Sequence, residues 1–192
     1  MLPSNNDRKT LVIDADIAYS ARELAPDEAN EEKYQRIGYC ISFLNAIREN
    51  EHRIVYPLNG QLKEEWDNHQ KEYFSGWVDT MISENLATFI PHSENDDLRD
   101  LIESCTVSCR DEGVRNKMIK DTHLLEIALE SDKIVASMDK VRQHFVSASK
   151  EIKEIREIVW VNPQTEEDSC TGWLMKGAPV EPERQLGYLV SR

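Results

Sequence analysis

Short apolar runs alternate with longer stretches of helical spacing along this chain. The runs have the apolar or β-branched content of strands, and they cover residues 11–16, 53–56, 133–137 and 155–161. Apolar residues three and four positions apart predict helices at about 30–50, 60–73, 76–86, 95–105, 117–130 and 139–151. Strands that alternate with helices need crossover connections. We therefore expect an α/β fold of three layers, in which helices cover both faces of a mostly parallel central sheet.

The amino-acid composition of the sequence changes at residue 162. Three prolines and three glycines fall between residues 162 and 192, among scattered aromatic and aliphatic side chains. We therefore divide the chain into a domain at 1–161 and a C-terminal tail or partner-binding extension at 162–192. The apolar residues of this tail favour docking onto a surface over free disorder.

Two of the predicted strands lead into carboxylates. The apolar run of the first strand breaks into Asp14 and Asp16, and the run at 133–137 leads through Ser137 to Asp139. In open α/β sheets, ligands bind outside the carboxyl ends of the strands. We therefore expect these side chains to meet at one edge of the sheet.

A third acid lies near the start of a predicted helix. A loop is expected around Gly113, and Asp121 follows it at the head of an apolar stretch. The stripe of that helix consists of Leu124, Leu125, Ala128 and Leu129. Because Asp121 precedes the stripe by three and four residues, it shares the same helical face and points toward the edge of the core.

A pair of glutamates lies on the helix predicted at 60–73. Leu62 and Trp66 are four residues apart and define the buried face of this helix. Glu65 then lies beside the buried face, and Glu64 lies more to the flank. On this geometry Glu65 is the better candidate for a functional site, with Glu64 as the alternative.

In their order and spacing, these residues resemble the PIN domain family of metal-dependent nucleases. The pattern of that family is an apolar strand ending in Asp, a Glu on the second helix, an Asp opening a later helix, and a strand ending in Ser/Thr-x-Asp. The matching residues are Asp14, Glu65, Asp121 and Asp139, with Ser137 at the hydroxyl position and Asp16 where the family often has Asn or Asp. The likeness spans roughly residues 9–161, and it departs from the family in the bulky, basic segment after Ser137.

The resemblance implies a Mg²⁺- or Mn²⁺-dependent endoribonuclease, for which the toxin of a toxin–antitoxin or defence pair is one role. Such cations take oxygen ligands and keep several waters, so a few carboxylates suffice to hold them. In this interpretation Asp14, Asp121 and Asp139 ligate the ion, and Glu65 ligates it or orients water. Asp16, Glu64 and Ser137 are supporting residues. RNA is the implied substrate, and an antitoxin-like protein and a second copy of the chain are the implied partners.

Different interpretations of the same acids stay open. Asp14, Asp121 and Asp139 are each suited to cap a helix. Asp14 and Asp16 also fit the Asp-x-Asp of haloacid-dehalogenase-like phosphatases, in which the first acid is the nucleophile, although Ala18 stands where that family prefers Thr or Val. A receiver-like phosphoacceptor is a further enzyme alternative. The remaining alternative is a non-catalytic PIN-like module that binds a protein or RNA partner.

The overall charge opposes nucleic-acid binding, but the local charge does not. The net charge is −13, whereas proteins that bind nucleic acid usually have a basic patch on their surface. Positive charge nevertheless gathers beside two of the acids. The candidates for contacts with RNA phosphates are Arg115, Lys117, Lys120 and Lys140. Ion pairs with neighbouring acids are the alternative role for these four residues.

The remaining features narrow the class of protein. The sequence has no apolar stretch long enough for a membrane span, and its first residues lack the apolar core of a signal peptide, so we expect a cytoplasmic protein without membrane contact. The four cysteines are not clustered with histidines and fit reduced thiols. A Gly-rich phosphate loop, a Gly-x-Ser-x-Gly elbow and a His-Glu-x-x-His pair are all absent from the sequence.

Overall fold

Five parallel strands form the central sheet. The computed structural model describes residues 8–22, 30–106, 111–165 and 167–188. The strands are β1 (Thr10–Ile13), β2 (Arg53–Pro57), β3 (Ala87–Ile90), β4 (Ile134–Ala136) and β5 (Val159–Val161). Their order is β3–β2–β1–β4–β5, and each neighbouring pair is parallel. β1 is therefore the central strand, and the order of the chain reverses on either side of it.

Helices connect the strands and cover the sheet. They are α1 (Ala15–Ser20), α2 (Glu31–Glu49), α3 (Gly60–His69), α4 (Glu72–Ser83), α5 (Asp96–Thr106), α6 (Glu112–Leu129), α7 (Arg142–Ala148) and α8 (Glu167–Met175). Two short 3-10 helices lie at Lys153–Glu157 and Pro182–Arg184. All three residues of β4 and of β5 are buried, and successive residues of a strand point to opposite faces. Both faces of the sheet are therefore covered, and the predicted α/β class with its three layers is confirmed.

Several elements are shorter than the apolar pattern predicts. β1 ends at Ile13 and not at residue 16, because Asp14 caps α1. The strand expected over 155–161 is a 3-10 helix followed by β5. The helix expected over 60–73 ends at His69. The apolar run at 87–90 forms β3, which pairs only with β2 among the described strands and so lies at an edge of the sheet.

The start of α6 differs most from the prediction. Asp111 accepts hydrogen bonds from the backbone N–H groups of Gly113 (2.9 Å) and Val114 (3.3 Å), and this cap starts the helix at Glu112. Gly113 therefore lies inside the helix, and the loop predicted there is wrong. Asp121 lies in the middle of α6 and not near its start, so it does not cap this helix.

The described part of the tail packs onto the domain. α8 lies against α2, and Trp173 and Leu174 are almost fully buried. The imidazole Nε2 of His52 lies 2.9 Å from the carbonyl oxygen of Leu174, and the N–H of Leu186 donates to the carbonyl of Ile158 at 2.9 Å. Residue 166 and residues 189–192 lie outside the described part. The described tail residues therefore share the hydrophobic core with the sheet.

Two further expectations concern membranes and thiols. Within the described part of the chain, no helix has both the length and the apolar character needed to cross a bilayer. Cys40 and Cys105 are free thiols, whereas Cys109 lies outside the described residues. Burial raises the pKa of Cys40 to about 12, so this thiol stays protonated and unreactive.

Candidate active site

A cleft of about 540 Å³ opens beside the carboxyl ends of β1 and β4. Its acidic lining residues are Asp14, Asp16, Glu65, Asp121 and Asp139. β1 and β4 are the neighbouring strands at which the order of the chain reverses, and this switch point is where open α/β sheets bind ligands. The fold thus brings together the acids that the sequence places at separate elements. The exposed Glu64 does not line the cleft, in contrast to its neighbour Glu65.

Ser137 joins the two acids that follow β1. It directly follows β4, and its N–H donates to the carbonyl of Val161 at 3.0 Å. The Ser137 hydroxyl, which is fully buried, donates to Asp14 Oδ2 at 2.6 Å and lies 3.4 Å from Asp16 Oδ2. The N–H of Met138 donates to the same Asp16 oxygen at 2.9 Å. Asp14 and Asp16 are therefore fixed to the end of β4 as well as to β1.

Asp16 retains one oxygen without a protein partner. Its Oδ1 is buried and accepts no hydrogen bond from the residues that the structure describes. Buried polar atoms nearly always have a partner, so this oxygen is suited to a ligand, a cation or a water. Arg36 of α2 lines the cleft as well, and its charge favours the ionised form of Asp16.

Asp139 has a structural role as well as a place in the cleft. Its N–H donates to the Ser137 hydroxyl at 3.0 Å, and its Oδ1 accepts from the N–H of Val141 at 2.8 Å. This hydrogen bond forms a turn ahead of α7, whose N-cap residue is Val141, so Asp139 does not cap that helix. The other oxygen, Oδ2, forms an ion pair with Lys117 and belongs to the cleft.

The position of Glu65 follows from the way α3 is anchored. The indole N–H of Trp66 donates to the carbonyl of Ile13 at 3.1 Å, which fixes α3 to the end of β1. The helix begins at Gly60, whose φ is +79° and where an added Cβ would lie 2.9 Å from the Cβ of His92. Gln61, one turn ahead, donates to Glu65 Oε1 at 3.0 Å. These contacts aim Glu65 at the cleft.

A buried ion cluster holds α6 against the segment that precedes α5. The carboxylate of Glu126 accepts from the N–H of Asn95 at 2.9 Å and from Arg99 at 2.7 and 2.9 Å. His92 Nε2 lies 2.8 Å from the same carboxylate, and the Glu126 side chain is only 1% exposed. Because Asp121 lies on α6, this cluster helps to fix its position.

The acids of the cleft are costly to ionise together. Burial raises the pKa of Asp14 to about 6, although the hydrogen bond from Ser137 acts in the opposite direction. Burial, together with the charge of Asp14, raises the pKa of Asp121 to about 7 and also raises the pKa of Asp16. For Glu65, burial is outweighed by hydrogen bonds from Gln61 and Lys120, and its pKa is lowered. A cation in the cleft would stabilise the ionised forms of Asp14 and Asp121.

Two of the predicted RNA-contacting cations lie in the cleft. Lys117 pairs with Asp139, and Lys120 Nζ lies 2.9 Å from Glu65 Oε1. Arg115 pairs with Glu103 at 3.1 Å outside the cleft, and Lys140 is exposed. Ion pairing with acids therefore describes three of these four residues in this structure.

Two of the candidate ligand carboxylates are paired with lysines. Among the described residues, no three Asp, Glu, His or Cys side chains are already grouped so as to hold a metal ion. Asp139 Oδ2 is paired with Lys117, and Glu65 Oε1 is paired with Lys120. Asp14 Oδ2 accepts from the Ser137 hydroxyl. A divalent cation in this cleft would have to replace the lysines as partners of the acids. The chemistry of the donor set, which is carboxylate oxygen throughout, suits Mg²⁺ or Mn²⁺.

Several lining residues are not apparent in the sequence. Tyr19, Arg36, His69 and Asn116 border the cleft, and their spacing along the chain carries no signal for this position. Gln61 does not line the cleft, but its hydrogen bond to Glu65 could be expected from the sequence, because residues four apart on a helix are neighbours. His123 lies two positions after Asp121 in the chain, but its Nε2 is 3.7 Å from Glu65 Oε2.

Comparison with known proteins provides no relative for this chain. The chain matches no family model, and no similar protein was found among the curated proteins or the solved structures. The likeness to PIN domains therefore rests on the sequence motifs, and the chemistry open to the protein is inferred from the cleft.

Proposed function

We propose that this chain is a Mg²⁺- or Mn²⁺-dependent endoribonuclease of PIN type, which hydrolyses phosphodiester bonds in RNA. The proposal is supported by one observation above all. Asp14, Glu65, Asp121 and Asp139 come from four separate segments and line one cleft at the switch point of a parallel sheet. Helix capping accounts for single acids, but it gives no reason for four of them to converge.

The donor set of the cleft fits a hard divalent cation. Asp14, Asp121 and Asp139 are the residues that would hold it, and Glu65 would hold it or orient a water. The Oδ1 of Asp16, which has no hydrogen-bond partner among the described residues, is a further candidate ligand, and the Ser137 hydroxyl holds Asp14 in place. When bound, such an ion acidifies a water for attack on a phosphodiester and offsets charge on the leaving oxygen.

Lys117 and Lys120 have a defined part in this proposal. Their hydrogen bonds to Asp139 and Glu65 raise the pKa of both ammonium groups, so they stay charged at neutral pH. If the acids held a divalent cation, the two ammonium groups would lose these partners. They would then be placed to contact the phosphates of the bound strand.

The biological setting belongs to the same proposal. A chain with a net charge of −13 does not bind bulk nucleic acid readily. We therefore expect it to act on a narrow set of structured RNAs or to bind a basic protein partner. An antitoxin-like protein is a partner of that kind, and a homodimer and a cytoplasmic location complete the proposal.

Cleavage of a labelled single-stranded RNA in Mn²⁺ tests the proposal. We expect the Asp14→Asn, Asp121→Asn and Glu65→Gln variants to cleave at least about 100-fold more slowly, because each removes part of an interaction worth several kcal/mol. Glu64→Gln is the matched control, since it changes the exposed neighbour of Glu65, and it should keep the wild-type rate. Cleavage at the wild-type rate in both aspartate variants would rule out this cleft as the source of activity.

A non-catalytic PIN-like binding module is the second candidate. It is favoured by the ion pairs of Lys117 and Lys120, which neutralise the acids without any metal. Isothermal titration with Mn²⁺ separates the two candidates. Binding that is lost in Asp14→Asn favours the nuclease, whereas no binding to the wild-type chain favours the module.

A further inference from the structure

Arg36 differs from the other cations of the acidic cleft in having no carboxylate partner. It lies on α2 and lines the cleft together with Lys117 and Lys120. Those two lysines pair with Asp139 and Glu65. Arg36 forms no ion pair among the described residues, and its hydrogen bond there is to a hydroxyl. It is therefore the cation of the cleft that is best placed to receive an anion.

The guanidinium of Arg36 is anchored at one edge and open at the other. Its Nε donates to the hydroxyl of Ser20 at 3.0 Å, and Ser20 is only 5% exposed. The two Nη groups have no hydrogen-bond partner among the described residues, and neither of them is buried. A guanidinium presents its N–H groups in a fixed fork that matches two oxygens of a phosphate. Because the anchor already orders the side chain, less side-chain freedom is lost when an anion binds.

The hydrogen bonds of Asp16 do not occupy this fork. The charge of Arg36 favours the ionised form of Asp16, but none of the hydrogen bonds between described residues joins the two side chains. Asp16 Oδ2 accepts from the N–H of Met138, and Oδ1 accepts from no described residue. Neutralising Asp16 is the alternative role for Arg36. The two roles differ in whether the binding of RNA depends on Arg36.

The charge of the cleft allows a phosphate to enter when a divalent cation is bound. Five carboxylates and three cationic side chains line the cleft. Five negative charges less three positive charges leave an excess of two negative charges when every acid is ionised. One divalent cation cancels that excess. A phosphate at Arg36 then meets a cleft without net repulsion, whereas the cleft without the ion repels it.

We propose that Arg36 binds a phosphate of the RNA strand in the cleft through its two Nη groups, and that Ser20 positions the guanidinium. This inference rests on the proposed nuclease function. It deepens that function by naming a residue of α2 that holds the substrate. Arg36 supplies affinity for the strand and transfers no proton, so its loss should raise KM more than it lowers kcat.

Fluorescence anisotropy with a labelled single-stranded octaribonucleotide in Ca²⁺ tests this role. Ca²⁺ takes carboxylate oxygens as ligands, and electrophoresis shows that the strand stays intact during the measurement. Arg36→Gln should weaken binding about tenfold and lower the slope of log affinity against log salt by about 0.7, as expected for one lost phosphate contact. Arg36→Lys should restore the slope and only part of the affinity, because an ammonium group is a point charge without the fork.

Two further variants control for charge and for structure. Arg48→Gln is the matched control, because it removes an arginine from the same helix, where Glu84 binds the guanidinium at 2.6 and 2.8 Å. It should keep the wild-type affinity. Ser20→Ala removes the anchor and keeps the charge, so it should weaken binding about threefold without changing the salt slope. Circular dichroism checks that each variant is folded.

The outcomes separate Arg36 from the proposed nuclease function. Equal affinities and equal salt slopes for Arg36→Gln and Arg48→Gln would overturn the inference, even if the wild-type chain cleaves RNA in Mn²⁺. A wild-type chain that does not bind the strand in Ca²⁺ would overturn it as well. Binding that depends on Arg36 in a chain without cleavage would support the inference and count against the nuclease. In a chain that cleaves, an Arg36→Gln variant with a lower kcat and an unchanged KM would refute the role in substrate binding.

Discussion

Ionisation of Asp121 lowers the free energy of unfolding, and this effect can be measured without any metal. The pKa of this carboxyl is about 7 in the fold, against an ordinary value of 3.8. The stability that a raised pKa provides is fully present below about pH 3.8 and is lost as the pH rises through 7. A gap of this size corresponds to about 4 kcal/mol once the pH exceeds both values. Ionised Asp121 therefore lowers the free energy of unfolding by about 4 kcal/mol at pH 8.

Asp121→Asn removes the charge and keeps the shape of the side chain. No hydrogen bond between described residues uses the Asp121 carboxylate, so the amide gives up none. In EDTA, the variant should therefore gain stability over the wild type as the pH rises from 4 to 8, and the gain should approach about 4 kcal/mol. Urea unfolding followed by circular dichroism at each pH measures it. Asp79→Asn changes an exposed aspartate and should stay within about 0.5 kcal/mol of the wild type.

Mn²⁺ should narrow the stability difference between the two proteins. A ligand that binds only the folded state at a hundred times its dissociation constant stabilises it by about 3 kcal/mol. The wild type should show this gain at pH 8, and Asp121→Asn should show much less. A stability difference that does not change with pH in EDTA would refute the electrostatic reasoning. A wild type that is the more stable protein at pH 8 in EDTA would refute it as well.

Three further changes test other contacts. The double variant Lys117→Gln and Lys120→Gln should bind Mn²⁺ about tenfold more tightly in isothermal titration. The reason is that two partly exposed ion pairs, each worth up to about 1 kcal/mol, no longer compete with the cation for the carboxylates. An unchanged affinity would contradict this. Glu126→Ala should lower the free energy of unfolding by about 3 kcal/mol in urea, since it leaves buried donors unpaired, whereas Glu64→Ala should change it by less than about 0.5. Ser137→Ala should raise the pKa of Asp14 above 6 in NMR titrations, because a hydrogen bond to the carboxylate is lost.

The existence of β1 and β4, and the sheet edge that they share, could be predicted from the sequence because burial leaves a clear signal there, although β1 stops at Ile13 and not at residue 16. Leu11, Val12 and Ile13 are fully buried, and an uninterrupted apolar run that stops at an acid is typical of a parallel strand that reaches the edge of its sheet. The rule for parallel sheets then places Asp14 and Asp139 at one edge. The choice of Glu65 over Glu64 follows from similar reasoning, since Trp66 fixes the buried face of α3.

The start of α6 could not be predicted because its first turns are largely exposed. Residues 111–117 have no apolar stripe that would mark a helix, and Gly113 is a residue typical of loops. The cap from Asp111 starts the helix without help from the core. Periodicity detects the buried part of a helix, so it places Asp121 near the start of one when it lies in the middle.

The partners of the lysines depend on contacts between distant parts of the chain. Lys71 meets Tyr19 and Lys120 meets Glu65 only after α1, α3 and α6 have packed. Side-chain pairs of this kind are set by tertiary structure and leave no spacing in the sequence.

The hydrogen bond between Ser137 and Asp14 joins residues that are 123 positions apart in the chain. A nascent chain on the ribosome therefore cannot complete the cleft until β4 has emerged and has inserted beside β1. Before that moment the acids from the first half of the protein lie on separate, unfinished elements. Synthesis itself would thus delay completion of the cleft until most of the chain has been made.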